Sequence, residues 1–598
     1  MTHPTRSLAA RLCSRLAAAC LALACTAGLA ADAEPAAFNT RFAAIAFHDI
    51  VDSRGELDDD AVTTERLVAF FDWLRGNGWT AISLDDVERA RRAEKPLPER
   101  AVLISFDDGY RSLYTRAYPL LQAYRMPAVA ALVGDWLAAP SGATVRYGQV
   151  EVPRERFISW EQAREMQRSG LVEFALHTQS MHQEVLGNPQ GNRLPAATTR
   201  RYDSGAGYES EAAFSARVRD DLARGQALLR RELGRAPRAL AWPYGRYNAI
   251  GVREARSLGF SHLLTLDVAP ADARRPLAIA RYLPTFNPSL GELVLNLQPD
   301  PNELHPDRLT CLDPAVLWTG DAARDDERLG RLIERLRVLG LTAVVVDAVQ
   351  RDAEGHVRAA WFPNRELPVA GDVLSRIAWQ LQSRAGVEVH VRLPHRAALA
   401  ALGRDAERVR RLYEDLGAMV PLSGWVLEGT APPASLAFDD PAPLFGDATR
   451  VQRGWAHWVT RERRRAHLAR LQAEGQPDAL AWQLVAVLDA ARPDMKLLWQ
   501  SLPQLSGAAG PAPHPLAEAS LVPTPLDWRG TGPADPRLTR WFTADVAPDA
   551  EALARAAQAF VRQGGVSLGW CPDEPFADRP QAADVAPAVS ASTFPARR

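Results

Sequence analysis

Short apolar runs alternate with amphipathic stretches from residue 41 onwards. Phe42-Ala43-Ala44-Ile45-Ala46-Phe47, Thr80 to Leu84, Ala101-Val102-Leu103-Ile104 running into Phe106, Ala128 to Val133, Leu171 to Leu176, Ala239 to Trp242 and Leu258 to Leu266 read as strands bounded by turn residues. Runs this uniformly apolar suit strands covered on both faces. Between them, Leu67, Val68, Phe71 and Leu74 line one face of a helix over Thr64 to Asn77, and Glu211 to Leu233 is a long amphipathic helix stopped by Gly234. Strands alternating with helices predict an α/β domain, here a distorted (β/α) barrel. The second half repeats the alternation at Leu341 to Val349, Val387 to Leu393, Ser423 to Leu427, Lys496 to Gln500 and Gly565 to Trp570, which predicts a (β/α)8-like barrel.

The 598 residues are too many for one core. A polar, proline-punctuated stretch from 298 to 314 reads as a linker between a domain over 36–297 and one over 315–576. Gly187 to Ser210 reads as a long polar loop over a site, and the Ala/Pro/Ser/Asp-rich tail, 577–598, as disordered. Residues 1–30 pattern as a secretory signal: Arg6, Arg11 and Arg15 precede the apolar Leu16 to Leu29, with small residues before Ala30 and Ala33. Lipidation at Cys25 is the alternative fate of that segment, although Ala22 stands where a leucine is usual. No later run reaches the roughly eighteen apolar residues of a membrane span. A signal implies an oxidising compartment, which lets Cys311 and Cys571 pair, while two buried thiols remain equally open. The net charge of -2 with dispersed Arg and Lys argues against nucleic acid.

Polar residues with chemistry to offer stand where several of these strands end: His48-Asp49, Asp107-Asp108-Gly109, His177-Thr178-Gln179-Ser180-Met181-His182 and Pro243-Tyr244-Gly245. In parallel sheets ligands gather at the carboxyl ends of strands. Two adjacent aspartates can face different partners, although a plain turn with Gly109 left-handed accounts for the pair equally well. Histidines five apart stand roughly 140° apart on a helix, so only a loop can aim both inward, and an exposed turn carrying two surface histidines is the plainer account of the pair alone. Asp108, His177 and His182 offer one oxygen and two nitrogens, a set that suits a catalytic Zn²⁺ and also accepts Co²⁺ or Ni²⁺. Asp107 beside it is placed to take a proton from water, and a backbone N–H can hold an oxyanion, which points to hydrolysis of an amide or ester.

Ser105-Phe106-Asp107-Asp108-Gly109, the His177 to His182 loop and Trp242-Pro243-Tyr244-Gly245 resemble, in order and spacing, motifs of the NodB-homology polysaccharide deacetylases. His48-Asp49-Ile50, Val152 to Phe157 with Ser159-Trp160, and Trp361 to Pro368 are similar to the PgaB/BpsB-like poly-β-1,6-N-acetylglucosamine N-deacetylases of biofilm export. The resemblance implies Asp107 as general base, Asp108, His177 and His182 as metal ligands and the backbone around Tyr244 as oxyanion donor. Two group features are absent: the arginine that steadies the base is replaced by Ala241, and Arg281-Tyr282-Leu283-Pro284 stands where a Leu-x-His supplies the acid. His48 is the substitute acid or substrate-positioning group. The resemblance makes the second barrel glycoside-hydrolase-like, but the family's aspartate pair aligns with Gly424 to Thr430, where only Glu428 is acidic. The expectation is therefore a barrel that binds polymer with its hydrolase site eroded. Trp242, Trp361, Trp425, Trp528 and Trp570 are candidates to stack on sugars, and Asp347, Glu428, Asp527, Asp573 and Glu574 to attract glucosaminium charge. The resemblance further implies a periplasmic or secreted protein, or an outer-membrane lipoprotein, working with an export porin. A non-catalytic export scaffold and a deacetylase of peptidoglycan or chitin-like glycans are the alternatives.

Overall fold

The computed structural model describes residues 38–148, 150–267, 269–297, 307–429, 463–464, 466–470, 473, 480–501, 516–527 and 538–592. The signal segment, Cys25, Asp439, Asp440 and Trp528 lie outside them.

The sheet of the first domain has nine strands, of which seven parallel ones form its wall: β1 (Arg41–Phe47), β2 (Ala101–Phe106), β3 (Ala128–Leu132), β4 (Val172–Leu176), β5 (Ala239–Ala241), β6 (His262–Thr265) and β7 (Ile279–Ala280), paired in that order, while Thr80–Ala81 adds to β2 in parallel and Ala271–Asp272 to β1 antiparallel. Just past β7, Tyr282 bridges Ile45 of β1, with Ala46 N–H donating to Tyr282 O at 2.8 Å and Tyr282 N–H to Ala44 O at 2.9 Å. The sheet thus closes on itself through a single bridge, which is the distortion of this barrel. Side chains alternate across the wall. The inward set, Ala44, Leu103, Val129, Ala131, Ala175, Ala239, Ala241 and Leu264, is mostly alanine and small enough to fill a narrow interior. The outward set, including Ile45, Phe47, Val102, Ile104, Phe106, Leu132 and Leu240, packs under helices such as α1 (Thr64–Gly76) and α2 (Glu211–Leu233).

The second domain is a closed barrel of eight parallel strands: β8 (Arg308–Leu312), β9 (Ala343–Asp347), β10 (Glu388–Arg392), β11 (Gly424–Gly429), β12 (Lys496–Ser501), β13 (Ala519–Pro525), β14 (Leu538–Thr543) and β15 (Ser567–Cys571). Leu309, Val345, Val426, Leu498, Leu521 and Trp541 fill it. Cys311 and Cys571 form a disulfide joining the first and last strands across 260 residues of sequence.

Several sequence expectations need correction. The linker does not extend to 314, because Arg308–Leu312 is a barrel strand paired on both sides with β9 and β15. Its flanking prolines hide it. The tail is not disordered throughout: Ala582–Val589 is a helix whose Val585 and Val589 are fully buried in the second core. β13 was masked by Pro523 and Pro525, which lower strand propensity without preventing pairing to β14. The polar stretch 187–210 holds short hairpin strands and links the domains. Gln190 Nε2 donates to Asp372 O at 2.5 Å, Arg376 Nη1 donates to Gln190 O at 3.0 Å, and Tyr208 OH bonds the Asp372 carboxylate. No helix among the described residues is long and apolar enough to cross a membrane.

Candidate active site

β2 delivers the centre of the site. Ser105 and Asp107 share the inward parity of Ala101 and Leu103, and Asp107 N–H donates to Phe47 O at 2.8 Å, extending the β1 pairing by one step. At Asp108 the chain turns left-handed, φ 70°, followed by Gly109 at 76°, so the second aspartate swings away from the barrel axis. Both carboxylates are buried.

Asp107 lies in the grip of Arg281. Arg281 Nη1 donates to Asp107 Oδ1 at 2.7 Å and Nη2 to Oδ2 at 2.8 Å, while Nη1 also reaches Ser105 Oγ at 2.9 Å. The guanidinium is fully buried. Burial alone would raise the Asp107 pKa, but Arg281, then His177 and His48, outweigh it and hold the carboxyl below its ordinary value. Ala241 leaves the inward space that a larger side chain would fill, and Arg281, next to the closing bridge, provides the missing guanidinium from another strand. In the sequence Arg281 stands out only as an occupant of the missing acid motif, and a lone arginine directly after the apolar Ile279-Ala280 is the signal of its role.

Asp108 Oδ1 faces His182 Nε2 at 3.2 Å and His177 Nε2 at 3.4 Å, and the three ligand atoms lie within 4.8 Å of one another. His177 Nδ1 is 2.9 Å from Ala241 O, an arrangement that puts the ring proton there and leaves Nε2 as a lone pair aimed at Asp108. Burial pushes the His182 pKa down to about 4, so that ring is neutral. Burial would also lower His177, but Asp108 and Asp107 outweigh it and raise its pKa, the mark of a place that attracts positive charge. Asp108 Oδ1 is buried without a hydrogen-bond donor. A carboxylate oxygen and two imidazole nitrogens converging on one point fit a divalent cation. Such an ion supplies Lewis-acid chemistry, lowering the pKa of water towards neutrality and polarising an acyl oxygen.

Residues outside the motifs hold this set in place. Tyr147 OH donates to Asp108 Oδ2 at 3.1 Å, leaving Oδ1 for the cation; burial and then Asp108 raise the phenol's pKa, so it keeps its proton. Asp221, buried on the apolar face of α2, accepts from Gln179 N–H at 2.8 Å and Ser180 N–H at 2.9 Å and so fixes the turn between the histidines. An acid in register with Val218, Leu222 and Gly225 on an apolar helix face is the sequence signal of this role.

His48 is buried at the end of β1 with Nδ1 lacking a partner, and it lies close enough to influence both aspartates. Tyr244 is left-handed, φ 57°, with its ring 4.7 Å from that of His182, and it is 40% exposed at the lip of the site. The four described tryptophans expected to bind sugar are buried. Trp242 packs on Gly251 and Tyr247 in the first core, and Trp361, Trp425 and Trp570 are buried in the second, where Trp425 faces outward to Tyr413 at 5.1 Å. Glu428 has the opposite parity from Trp425 and rises at the barrel mouth with Asp347. Arg392, on the strand between them, occupies both Asp347 oxygens at 2.6 and 2.9 Å. Asp573 is engaged by Arg335 at 2.7 Å, away from any sugar role.

Residues 94–263 match the family model described as polysaccharide deacetylase, and residues 313–401 match that described as hypothetical glycosyl hydrolase family 13. The first barrel is a polysaccharide deacetylase domain and the second a glycosyl-hydrolase-like domain. In this order the two matched domains are similar to those of the PgaB-like proteins. It is 37% identical over 358 residues to the poly-β-1,6-N-acetyl-D-glucosamine N-deacetylase of Escherichia coli K12, a match covering 59% of this chain and 53% of that protein, so it spans about half the length of the curated relatives it matches. The solved de-N-acetylase of Aggregatibacter actinomycetemcomitans is 33% identical, covering 43% of this chain and 99% of that one with a TM-score of 0.41. The BpsB deacetylase domain of Bordetella bronchiseptica is 37% identical, covering 41% and 95% with a TM-score of 0.37.

Proposed function

We propose that this chain is a metal-dependent N-deacetylase of poly-β-1,6-N-acetylglucosamine. The observation that carries the reading is the convergence of Asp108, His177 and His182 beside an aspartate held ionised by a buried arginine. Asp107 takes the proton of the attacking water. The backbone of the Tyr244 turn receives the negative charge that develops on the acyl oxygen. His48 returns a proton to the departing amine, its Nδ1 being buried without a partner at the end of β1. The balance is that of amide hydrolysis: water adds across the C–N bond and gives acetate and a free glucosamine. Zn²⁺ suits the ligand set best, with Co²⁺ and Ni²⁺ as working replacements.

The second barrel binds the polymer and does not cleave it. A retaining or inverting glycosidase needs two available carboxylates, and here Arg392 occupies both oxygens of Asp347. Glu428 at the barrel mouth instead draws the glucosaminium groups that the first domain makes. This assignment puts the chain in the periplasm or on the outer membrane, handing polymer to an export porin.

Free-amine release from the polymer tests the reading, measured for wild type and Asp107→Asn after chelation and after adding back Zn²⁺, Co²⁺ or Ni²⁺. Release by wild type that depends on added metal, with at least a hundredfold loss in Asp107→Asn, is the expected result. Equal release by the two proteins removes Asp107 from the mechanism, and release unaffected by chelation removes the metal.

A further inference from the structure

At 72%, Phe286 is the most exposed large hydrophobic side chain among the described residues. Its backbone is left-handed, φ 56°, and so is that of Asn287 at 47°. Bulky residues rarely adopt this conformation, and a strained pair persists only where its surroundings enforce it. They do so here: Phe286 N–H donates to Asp59 O at 2.7 Å, and Asn287 Oδ1 accepts from Thr63 N–H at 3.0 Å. The loop therefore spends backbone energy to hold an aromatic ring in water.

That loop is fastened to the wall of the metal site. Val62–Thr63 pairs with Ile50–Val51, which begins two residues after His48. Asp60 lies between the two anchors. Burial raises its pKa, His48 draws it down and Asp108 pushes it up again, so it stands within electrostatic reach of the site. Other exposed apolar groups stand beside the metal site: Tyr244, 40% exposed with its ring 4.7 Å from that of His182, and Val150, 56% exposed on the hairpin whose Tyr147 bonds Asp108. A charged floor within an apolar rim suits a ligand with polar edges and apolar faces, as a chain of pyranose rings has.

We propose that Phe286 is the stacking platform of a subsite that takes the apolar face of a sugar ring neighbouring the one whose N-acetyl group enters the metal site. The site thus grips a chain and not a single amino sugar. This rests on the deacetylase reading, and the test separates the two. Binding of a β-1,6-linked N-acetylglucosamine dimer and pentamer is measured by calorimetry on the full chain carrying Asp107→Asn, alone and with Phe286→Gly or Phe286→Trp. Glycine accepts the left-handed backbone, so Phe286→Gly removes the ring without adding strain. The expected result is a three- to tenfold weaker pentamer Kd in Phe286→Gly, about what an aromatic contact is worth, with dimer binding unchanged and pentamer affinity restored by Phe286→Trp. The melting temperature of Phe286→Gly stays at or above that of its parent, which a packing role for the ring would not allow. Unchanged pentamer affinity in Phe286→Gly, or equal weakening for dimer and pentamer, overturns the proposal. Amine release by the wild-type chain reports separately on the deacetylase reading.

Discussion

Replacing Arg281 by methionine tests the central feature of the site, a buried base held by an arginine from a distant strand. The side chains are fully buried on one side and 3% exposed on the other. Removing one partner of such a pair leaves an uncompensated charge, at a cost of about 3–5 kcal/mol. The substitution also removes the largest influence that lowers the Asp107 pKa and leaves burial opposed mainly by His177 and His48. Signs follow from linkage. In wild type the depressed pKa contributes stability that is present above the ordinary carboxylate value and is lost as pH falls through the folded pKa. In Arg281→Met the folded pKa rises, so its stability deficit is greatest near neutral pH and shrinks on acidification, when Asp107 takes up a proton. Activity moves in parallel: kcat falls by about a hundredfold, a typical share for an aligned base, KM changes little, and the acid limb of the pH profile shifts upward. Arg281→Lys keeps the charge but not the two-pronged geometry and falls between. Urea unfolding at several pH values, with amine-release kinetics on the same proteins, measures all of this. A cycle with Asp107→Asn should show strong coupling, because the two groups act as one. Arg281→Met with wild-type kcat and an unmoved acid limb refutes the assignment of Arg281 as the residue that positions and charges the base.

Other features carry their own expectations. Asp221→Ala leaves Gln179 and Ser180 N–H groups without their acceptor and loosens the histidine turn, so Zn²⁺ affinity by chelator competition should weaken about 10- to 100-fold; unchanged affinity makes Asp221 a packing residue only. Opening the Cys311–Cys571 disulfide frees the first and last barrel strands and should reduce stability by about 2–5 kcal/mol in denaturant titrations with and without reductant; identical curves refute this. Asp372, whose pKa burial pushes up to about 6 against the hydrogen bond from Tyr208, binds a proton more tightly in the folded chain, so stability should fall as pH rises between 3.8 and about 6, and Asp372→Asn should abolish that part of the slope. Trp425→Phe should lower stability by roughly 1–3 kcal/mol and leave polymer binding unchanged, since Trp425 lies among core residues; weaker binding by the folded variant would return it to the site.

What could be read from the sequence divides along a physical line. Element order was legible up to β6 in the first domain because apolar period and turn residues are local, whereas β8, β13 and β14 of the second barrel were not; Asp107, Asp108, His177 and His182 were legible because polar residues at the ends of apolar strands stand out. Arg281 was not, since its contact with Asp107 spans 174 residues and exists only because the barrel closes through Ile45 and Tyr282. Parity was hidden for a related reason. β11 reads Gly424-Trp425-Val426-Leu427-Glu428-Gly429, apolar on both faces as barrel strands are, so nothing in the run says which residues point inward. Pairing resolves it: Val426 joins the interior and Trp425 the helix layer. The register that removes Trp425 from the mouth therefore places Glu428 there. The same alternation turns Asp107 inward to meet Arg281, and only the left-handed step at Asp108 breaks it. That break separates two adjacent carboxylates into a base and a ligand, a division that a regular strand or an ordinary turn at this position would not produce.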